Sequence, residues 1–452
     1  MFQKLNKKFS IIPAKLVYNG SRYTHTKTHR VLCLAGDGVG PELVESSKQV
    51  VDCLVNHSKS ALRIEFEDMP FGYSLYQSKG YAISPQHIEA FKELKIIFKG
   101  PVTIPPGDTS FYIDNLNKNY KYTSPNQALR KIFDLYANVR PAISCPIGTD
   151  AQVPFQNVNI ITIRENTEDL YSGEEVCKKK KTSFFFFPPS KKKKKLRQST
   201  NFPFFFFLKK KKKHVYDNGD RVEAIKRITR KCSERIAKFA FHYARTHHRQ
   251  KVTAVHKANV NKKSDGLFLE CHRACGNEPL NRKSIVYTEQ LADSLLYKLM
   301  TKHSDFDVLS CPNLYGDLVS DLLGGMIGSL GLMPAAQFHA EWQTDVSLSS
   351  KDDATTHSES DQPCYRYALF EPTHGSAPDI AQQNKVNPIS QWRSVVLLLE
   401  YLGDFRLSHV LETCIQQMLK DGFVTPDLKG RFSTTDMTKH ILTLIDQKLS
   451  QL

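Results

Sequence analysis

Arg30-Val31-Leu32-Cys33-Leu34-Ala35-Gly36-Asp37-Gly38-Val39-Gly40-Pro41-Glu42 reads as a strand, a glycine turn and the opening of a helix. The unbroken apolar run suits a strand covered on both faces, as in a parallel sheet. Beyond the turn, Leu43, Val44, Val50, Val51 and Leu54 fall on one side of a helix. The same alternation recurs along the chain. Residues 96–102 form another strand and turn, 158–164 an alternating strand, and 252–255 and 307–310 short apolar strands. Residues 224–247 have a helical period carried by Ile225, Ile228, Ile236, Phe239, Ala240 and Tyr243. Strands alternating with helices predict an α/β fold. The glycine turn is not the G-x-G-x-x-G dinucleotide fingerprint, because its third glycine comes one residue early.

The chain of 452 residues is long enough for one large core or two domains. A net charge of +17 would ordinarily point to nucleic acid or an anionic membrane. Its location removes that reading. Residues 176–213 hold fourteen Lys, one Arg and no acid, and residues 1–35 hold five Lys, two Arg and no acid. Without these two stretches the chain is mildly acidic, as expected of a protein with small-molecule substrates, and neither nucleic-acid binding nor a membrane span is expected. The first acidic residue is Asp37, and the basic, hydroxylated segment before it has the pattern of a mitochondrial transit segment over residues 1–30. No apolar run is long enough to span a bilayer. The ten Cys lack paired metal spacing and read as free thiols in a reducing compartment.

Three motifs carry chemistry. Asn313-Leu314-Tyr315-Gly316-Asp317 continues to Asp321, and carboxylates four residues apart share a helix face and suit Mg²⁺ or Mn²⁺. The others are Arg164-Glu165-Asn166-Thr167-Glu168-Asp169-Leu170-Tyr171 and Val255-His256-Lys257-Ala258-Asn259. Together they resemble the β-decarboxylating dehydrogenases, the family of isocitrate and isopropylmalate dehydrogenases, and most closely the mitochondrial NAD-dependent isocitrate branch. The resemblance runs from about residue 31 to about residue 445. It implies two α/β domains with the active cleft between them. The large cofactor domain is discontinuous (residues 31–134 and 328–450), and the small substrate and dimerisation domain is residues 135–327.

The resemblance implies an activity and a site. The activity is NAD-dependent, metal-assisted oxidative decarboxylation of isocitrate to 2-oxoglutarate and CO₂ in the mitochondrial matrix. Homoisocitrate or 3-isopropylmalate dehydrogenase, or a non-catalytic regulatory subunit, are the alternatives. Arg130, Arg140 and Arg164 stand at the carboxylate clamps, and a guanidinium fork grips a carboxylate with two hydrogen bonds. Ser124 and Asn126 match the isocitrate branch, where they touch the third carboxylate. Asp293, Asp317 and Asp321 would hold the metal. Asp293 and Lys257 are contributed by a neighbouring subunit, so a homo- or hetero-oligomer with shared sites is implied. Lys257 is the general base and Tyr171 the proton donor. Regulatory subunits tend to lose such residues, and this chain keeps Tyr171, Lys257 and all three Asp.

The cofactor motif is Glu371-Pro372-Thr373-His374-Gly375-Ser376-Ala377-Pro378-Asp379-Ile380, followed by Asn387-Pro388. His374 and Asn387 are expected at the adenine, with Gly375, Ser376 and Ala377 near phosphate or ribose. Thr103 and Asn259 are further cofactor contacts, Asn259 on the nicotinamide side. Asp379-Ile380 selects NAD, since a carboxylate accepts from the ribose hydroxyls and repels a 2′-phosphate. NADP-specific relatives carry Lys-Tyr there. Ile104 departs from the Thr often found near the nicotinamide, and the expected loop at Pro334-Ala335-Ala336-Gln337 lacks the usual Ser and Asn.

Two interruptions break the resemblance. Residues 176–213 alternate Lys and Phe blocks with neither helical nor strand period. A basic-aromatic arm is one reading; a translated intron is the better one. Poly-A and poly-T tracts encode Lys and Phe, a Val codon begins with GT, and a Lys codon can end in AG. Removing the segment joins Glu175 to His214 and restores a continuous family-like sequence. Transcript reads crossing the segment intact would overturn this reading. The second interruption, near residues 341–363, is polar and reads as a surface loop.

Overall fold

The computed structural model describes residues 27–57, 61–104, 111–112, 121–122, 124–148, 153–172, 175–177, 222–342 and 363–451. The expected transit segment up to residue 26, residues 178–213 of the insert and residues 343–362 of the polar loop lie outside them. The chain falls into two compact units, residues 1–172 with 226–452, and residues 173–225.

The first unit is built on one ten-stranded sheet. Its strands are β1 (Lys27–Leu34), β2 (Leu62–Asp68), β3 (Ile96–Lys99), β6 (Ala137–Ile143), β7 (Asn159–Glu165), β10 (Lys251–His256), β11 (Val286–Leu291), β12 (Val308–Cys311), β13 (Pro334–Trp342) and β14 (Pro363–Pro372). The order across the sheet is β11-β10-β12-β7-β6-β13-β14-β3-β1-β2. Strands from residues 135–327 occupy one half and the remaining strands the other. They meet where β6 pairs antiparallel with β13, Val139 opposite Ala336. The outer pairs on both sides, β1 with β2 and β10 with β11, are parallel. Two short strands, β4 (Phe111–Tyr112) and β5 (Lys121–Tyr122), form a separate antiparallel ladder.

Burial follows the opening motif closely. Val31, Leu32, Cys33 and Leu34 are buried, and the helix Gly40–His57 turns Leu43, Val44, Val50, Val51 and Leu54 inward. The helix Ile389–Leu402 is buried along nearly its whole length and carries Trp392 in the core, hydrogen-bonded through its indole N–H to Ser46 at 2.9 Å. Residues 334–337, expected as a loop, instead begin β13, which pairs with β14 and β6. Their small apolar side chains at Ala335 and Ala336 are fully buried, which a sheet interior accepts and an exposed loop would not need. The nine cysteines whose side chains are described carry free thiols. No helix among the described residues is long and apolar enough to cross a membrane.

In the second unit, β8 (Glu175–Cys177) pairs antiparallel with β9 (Val222–Ala224), Val176 opposite Glu223. Two ladder residues, Val176 and Cys177, thus belong to the segment read as a translated intron.

Candidate active site

Helix Asn313–Ile327 leaves β12 through Pro312 and carries Asp317 and Asp321 one turn apart on one side. Its first turn is anchored by Asp169, whose carboxylate accepts from the Leu314 N–H at 2.9 Å. Gly316 is needed for what happens next to it. A Cβ there would lie 2.6 Å from Cγ of Arg164, so only glycine lets that arginine lie across the helix.

Three predicted residues converge on Asp317. Arg164 donates to it with one arm and, through Nε and Nη2, to Oδ1 of Asn313 at 2.9 and 2.7 Å. Arg140 donates to the same carboxylate oxygen at 3.2 Å and to Ser320 Oγ at 2.7 Å. The Tyr171 hydroxyl donates to the other oxygen, with the Arg164 guanidinium 5.0 Å from its ring centroid. Both arginines are buried and Tyr171 is half-exposed.

The electrostatics of the two carboxylates diverge. Burial raises the Asp317 carboxyl, but Arg164 and Arg140, with the Tyr171 hydroxyl, hold it below the usual carboxylate range. For Asp321, burial and then the charge on Asp317 push the carboxyl up against the pull of Arg140 and Arg164. Asp321 has no hydrogen bond or ion pair to any described residue. Two neighbouring carboxylates, one of them without a partner, form the hard-oxygen donor set that a divalent cation takes. Burial, then the bond to Asp317, raises the Tyr171 phenol, so it keeps its proton at neutral pH.

Arg130 stands in a second buried cluster. Its Nε donates to Gln337 Oε1 at 3.1 Å, and Glu371 lies 3.6 Å away. Gln337 also accepts from Asn166 at 2.7 Å and donates to Glu371, which pairs with Lys99 at 2.6 Å. Reading along the chain missed Lys99 and the role of Gln337. The available signal was Lys99 ending an otherwise apolar strand, Ile96–Lys99, because a charge in such a strand has to find a buried partner.

Lys257 and Asp293 form a separate pair. Lys257 follows β10, Asp293 opens helix Ala292–Lys302, and their charged atoms are 2.6 Å apart. The hydrogen bond from Lys257 is the main cause holding the Asp293 carboxyl below its usual range. Among the described residues, the only Cys, His, Asp or Glu trio with ligand atoms all within 4.8 Å is Cys53, His57 and Asp446, which are hydrogen-bonded to one another. Asp293, Asp317 and Asp321 are therefore not gathered within a single chain.

The glycine turn borders the expected cofactor loop. Gly38 has φ +58°, and a Cβ there would meet the Ser376 carbonyl oxygen at 2.0 Å. That close approach lets the Val39 N–H donate to the same carbonyl at 2.9 Å, while the Thr103 and Ser376 hydroxyls share a hydrogen bond of 2.6 Å. Asp37 brackets the turn by accepting from the N–H groups of Tyr73, Ser74 and Thr103. Ala377 sits at φ +36° beside the exposed Gly375. Burial lowers His374, whose Nδ1 bonds the Gly375 carbonyl at 2.8 Å and whose Nε2 is buried without a partner. An orphaned ring nitrogen, a small-residue loop and the exposed Asp379 together fit an adenosine. Ile380 packs toward Val39 and Leu43.

The remaining predicted residues have other engagements. Ser124 caps helix Pro125–Ile132 by accepting from the Gln127 N–H at 3.1 Å, which leaves its hydroxyl proton for a ligand. Asn126 has a buried Oδ1 without a partner. Asn387 spends both side-chain atoms on the protein: Nδ2 on Asp427 at 3.0 Å, and Oδ1 on the Ile389 N–H at 3.1 Å. Each of these uses one of the two hydrogen bonds its atom can make, so one amide N–H and one oxygen lone pair remain. Asn259 is exposed on the turn after Lys257.

Glu168, between the motif's Arg164 and Tyr171, has a testable titration. Burial, then the neighbouring Glu165, pushes its carboxyl from 4.5 up to about 7, although it accepts from the Thr229 N–H at 2.9 Å. The folded value exceeds the unfolded one. The stability lent by the neutral form is therefore complete below 4.5 and lost as pH rises through about 7. Glu168→Gln is expected to flatten the fall of the thermal midpoint between about pH 5 and 8. Equal pH slopes for both proteins would refute this.

Known proteins resemble this chain over most of its length. The family model "Isocitrate/isopropylmalate dehydrogenase" matches residues 30–441. The chain is 34% identical over 414 residues to the alpha chain of the mitochondrial NAD isocitrate dehydrogenase of Bos taurus, covering 91% of this chain and 89% of the relative. It is 32% identical over 427 residues to a regulatory chain of the mitochondrial NAD isocitrate dehydrogenase of Dictyostelium discoideum, covering 94% of each. The crystal structure of isocitrate dehydrogenase from Methylococcus capsulatus superposes with a TM-score of 0.71 at 31% identity, over 93% of this chain and 100% of that one. With the family model matching residues 30–441, relatives more than 30% identical over nine-tenths of the chain and a solved structure sharing its fold, this protein belongs to the isocitrate/isopropylmalate dehydrogenase family.

Proposed function

We propose that the chain catalyses NAD-dependent oxidative decarboxylation of isocitrate to 2-oxoglutarate and CO₂. The observation that carries this reading is the meeting of Arg140, Arg164 and Tyr171 on the carboxylate of Asp317. A substrate carboxylate offers those forks the same two oxygens, and Arg130 stands ready for another. Ser124, with a hydroxyl proton to spare, and Asn126, with an orphaned amide oxygen, supply the polar contacts that a third carboxylate and the substrate hydroxyl require. An isopropyl group would leave both without a partner, which disfavours 3-isopropylmalate.

Asp317 and Asp321, with the partner subunit's Asp293, are the residues to hold Mg²⁺ or Mn²⁺. A cation held there would supply Lewis-acid chemistry for acidifying the substrate hydroxyl and offsetting the negative charge left after decarboxylation. NAD would supply the acceptor for the C2 hydride, held by the loop of Gly375, Ser376, Ala377 and Asp379. Lys257 of the partner subunit takes the hydroxyl proton, and Asp293 beside it holds its amine in place. Tyr171, protonated at neutral pH, delivers the proton that ends on C3.

A shared site also accounts for the exposed apolar side chains near it. Tyr297 and Met300, on the helix that begins beside Asp293, are 70% and 47% exposed. Leu318, next to Asp317, and Val260, close to Lys257, are 53% and 67% exposed. Large apolar side chains left exposed on the elements that carry the proposed catalytic groups suit a subunit interface. The basic, acid-free amino-terminal stretch and the mitochondrial relatives support a matrix location.

The test is NADH formation with Mg²⁺ by the chain lacking residues 1–26, which precede β1, and 176–213, offered isocitrate, homoisocitrate and 3-isopropylmalate in parallel. Turnover of isocitrate alone supports substrate and cofactor together. Silence on all three from a folded oligomer would favour a chain that needs a different partner, as the regulatory relative's name implies for that protein. The cofactor assignment has its own check. Asp379→Lys with Ile380→Tyr exchanges a repulsive for an attractive charge at the 2′-phosphate. It should shift the NADP-to-NAD ratio of kcat/KM by about two orders of magnitude, and an unchanged ratio would remove Asp379 as the selector.

A further inference from the structure

Among the described residues, Lys226 is the one lysine whose ammonium is enclosed by groups from three parts of the proposed machinery. Its Nζ lies 2.7 Å from Asp265 and 3.7 Å from Asp169, two carboxylates with fully buried side chains. It donates to the Tyr315 hydroxyl at 3.3 Å, and its ammonium is 4.4 Å from the Tyr315 ring centroid. Each of these neighbours holds a different element. Asp265 accepts from the backbone N–H of Lys257 at 2.7 Å, fixing the turn that presents the general base. Asp169 accepts from the Leu314 N–H that opens the metal-bearing helix, and its own carbonyl accepts from Ser172, just past Tyr171. Asp169 holds φ +74°, a conformation that a non-glycine residue keeps only when its surroundings impose it. Tyr315 precedes Asp317 by two residues and also accepts from Asn261, in the turn after Lys257.

We infer that Lys226 is a positioning residue: one ammonium clamps the Tyr171 loop, the start of the Asp317 helix and the Lys257 turn into a single geometry. The inference rests on the proposed shared active site, and there it has a specific consequence. Tyr171 acts in the cleft of its own subunit, whereas Lys257 acts in the cleft of the neighbour. One Lys226 therefore serves two active sites at once. Two buried carboxylates around a single cation also explain why a neutral residue cannot replace it cheaply, since both would be left without their counter-charge.

The test uses the protein expressed from its native transcript. Lys226→Met should lower kcat about 100-fold, the scale of an ångström-sized misplacement of reacting groups, with KM for isocitrate within about threefold. Lys226→Arg should recover a large part of the loss. Lys226→Gln serves as a second neutral variant if the Met form does not fold. Mixed oligomers give the decisive readout. When Lys226→Met chains are assembled with wild type, both sites of a hybrid pair contain a displaced group, so activity should fall as the square of the wild-type fraction. Tyr171→Phe chains spoil only their own cleft, so activity in their mixtures should fall linearly. A linear fall for Lys226→Met, or full activity in either neutral variant, overturns the inference. Mixing Lys257→Met with Tyr171→Phe chains tests the underlying reading separately. Recovered activity supports a shared site; no recovery overturns the shared site itself.

Discussion

Asp317→Asn should lower kcat/KM for isocitrate by about a thousandfold while the chain stays folded. A metal ligand of this kind contributes several kcal/mol to stabilising the developing charge, and about 1.4 kcal/mol corresponds to a factor of ten. The substitution is nearly isosteric, so the loss is one of charge. Arg164 keeps its two bonds to Asn313, and Arg140 keeps Ser320. Both guanidiniums nevertheless lose their nearest anion while buried. That should cost roughly 1–3 kcal/mol of stability, the scale for a buried charged group left unsatisfied. Urea unfolding reads the second effect, and initial rates with Mn²⁺ titration read the first. A variant with normal Mn²⁺ affinity and a loss under tenfold would remove Asp317 from the metal site.

Lys257→Met should cost about 10²- to 10⁴-fold in kcat, the range for losing a general base. Unlike Asp317→Asn, it should leave folding stability unchanged. Lys257 pairs with Asp293, whose side chain is 65% exposed, and water takes over the solvation of a carboxylate so placed. The thermal midpoint should therefore stay within measurement error of wild type, and KM for isocitrate should change little. A variant that melts well below wild type would make Lys257 a structural residue. The two substitutions remove one charge each from motifs of equal sequence prominence, and only burial separates their expected stabilities.

How much of this was legible along the chain depends on the range of the interactions. Gly36-Asp37-Gly38 declares a turn by itself, because its positive-φ positions are local requirements. The apolar run after Arg30 and the helical period after Gly40 declare a covered strand and a one-sided helix, and both are found. Asp317 and Asp321 share a helix face by spacing alone. Gln337 shows the opposite case. In the chain it follows Pro334-Ala335-Ala336 and looks like a loop residue. In the fold it lies in a strand between β6 and β14 and bonds Arg130 and Glu371 from distant segments. Asn387 has a motif that suggests a ligand, and only the fold shows that its side chain also bonds Asp427 and the Ile389 N–H.

By itself, the sequence determined the α/β alternation, the glycine turn, the motif residues and the location of the excess charge. These depend on backbone preference, on periodicity and on composition, which act between near neighbours. The tertiary structure alone decided which charges meet. It put Arg140 and Arg164 on Asp317, Lys99 on Glu371, and Lys226 between Asp169 and Asp265. Burial makes an unpaired charge costly, so partners are chosen by where the packed sheet and helices bring them, and no local pattern records that choice.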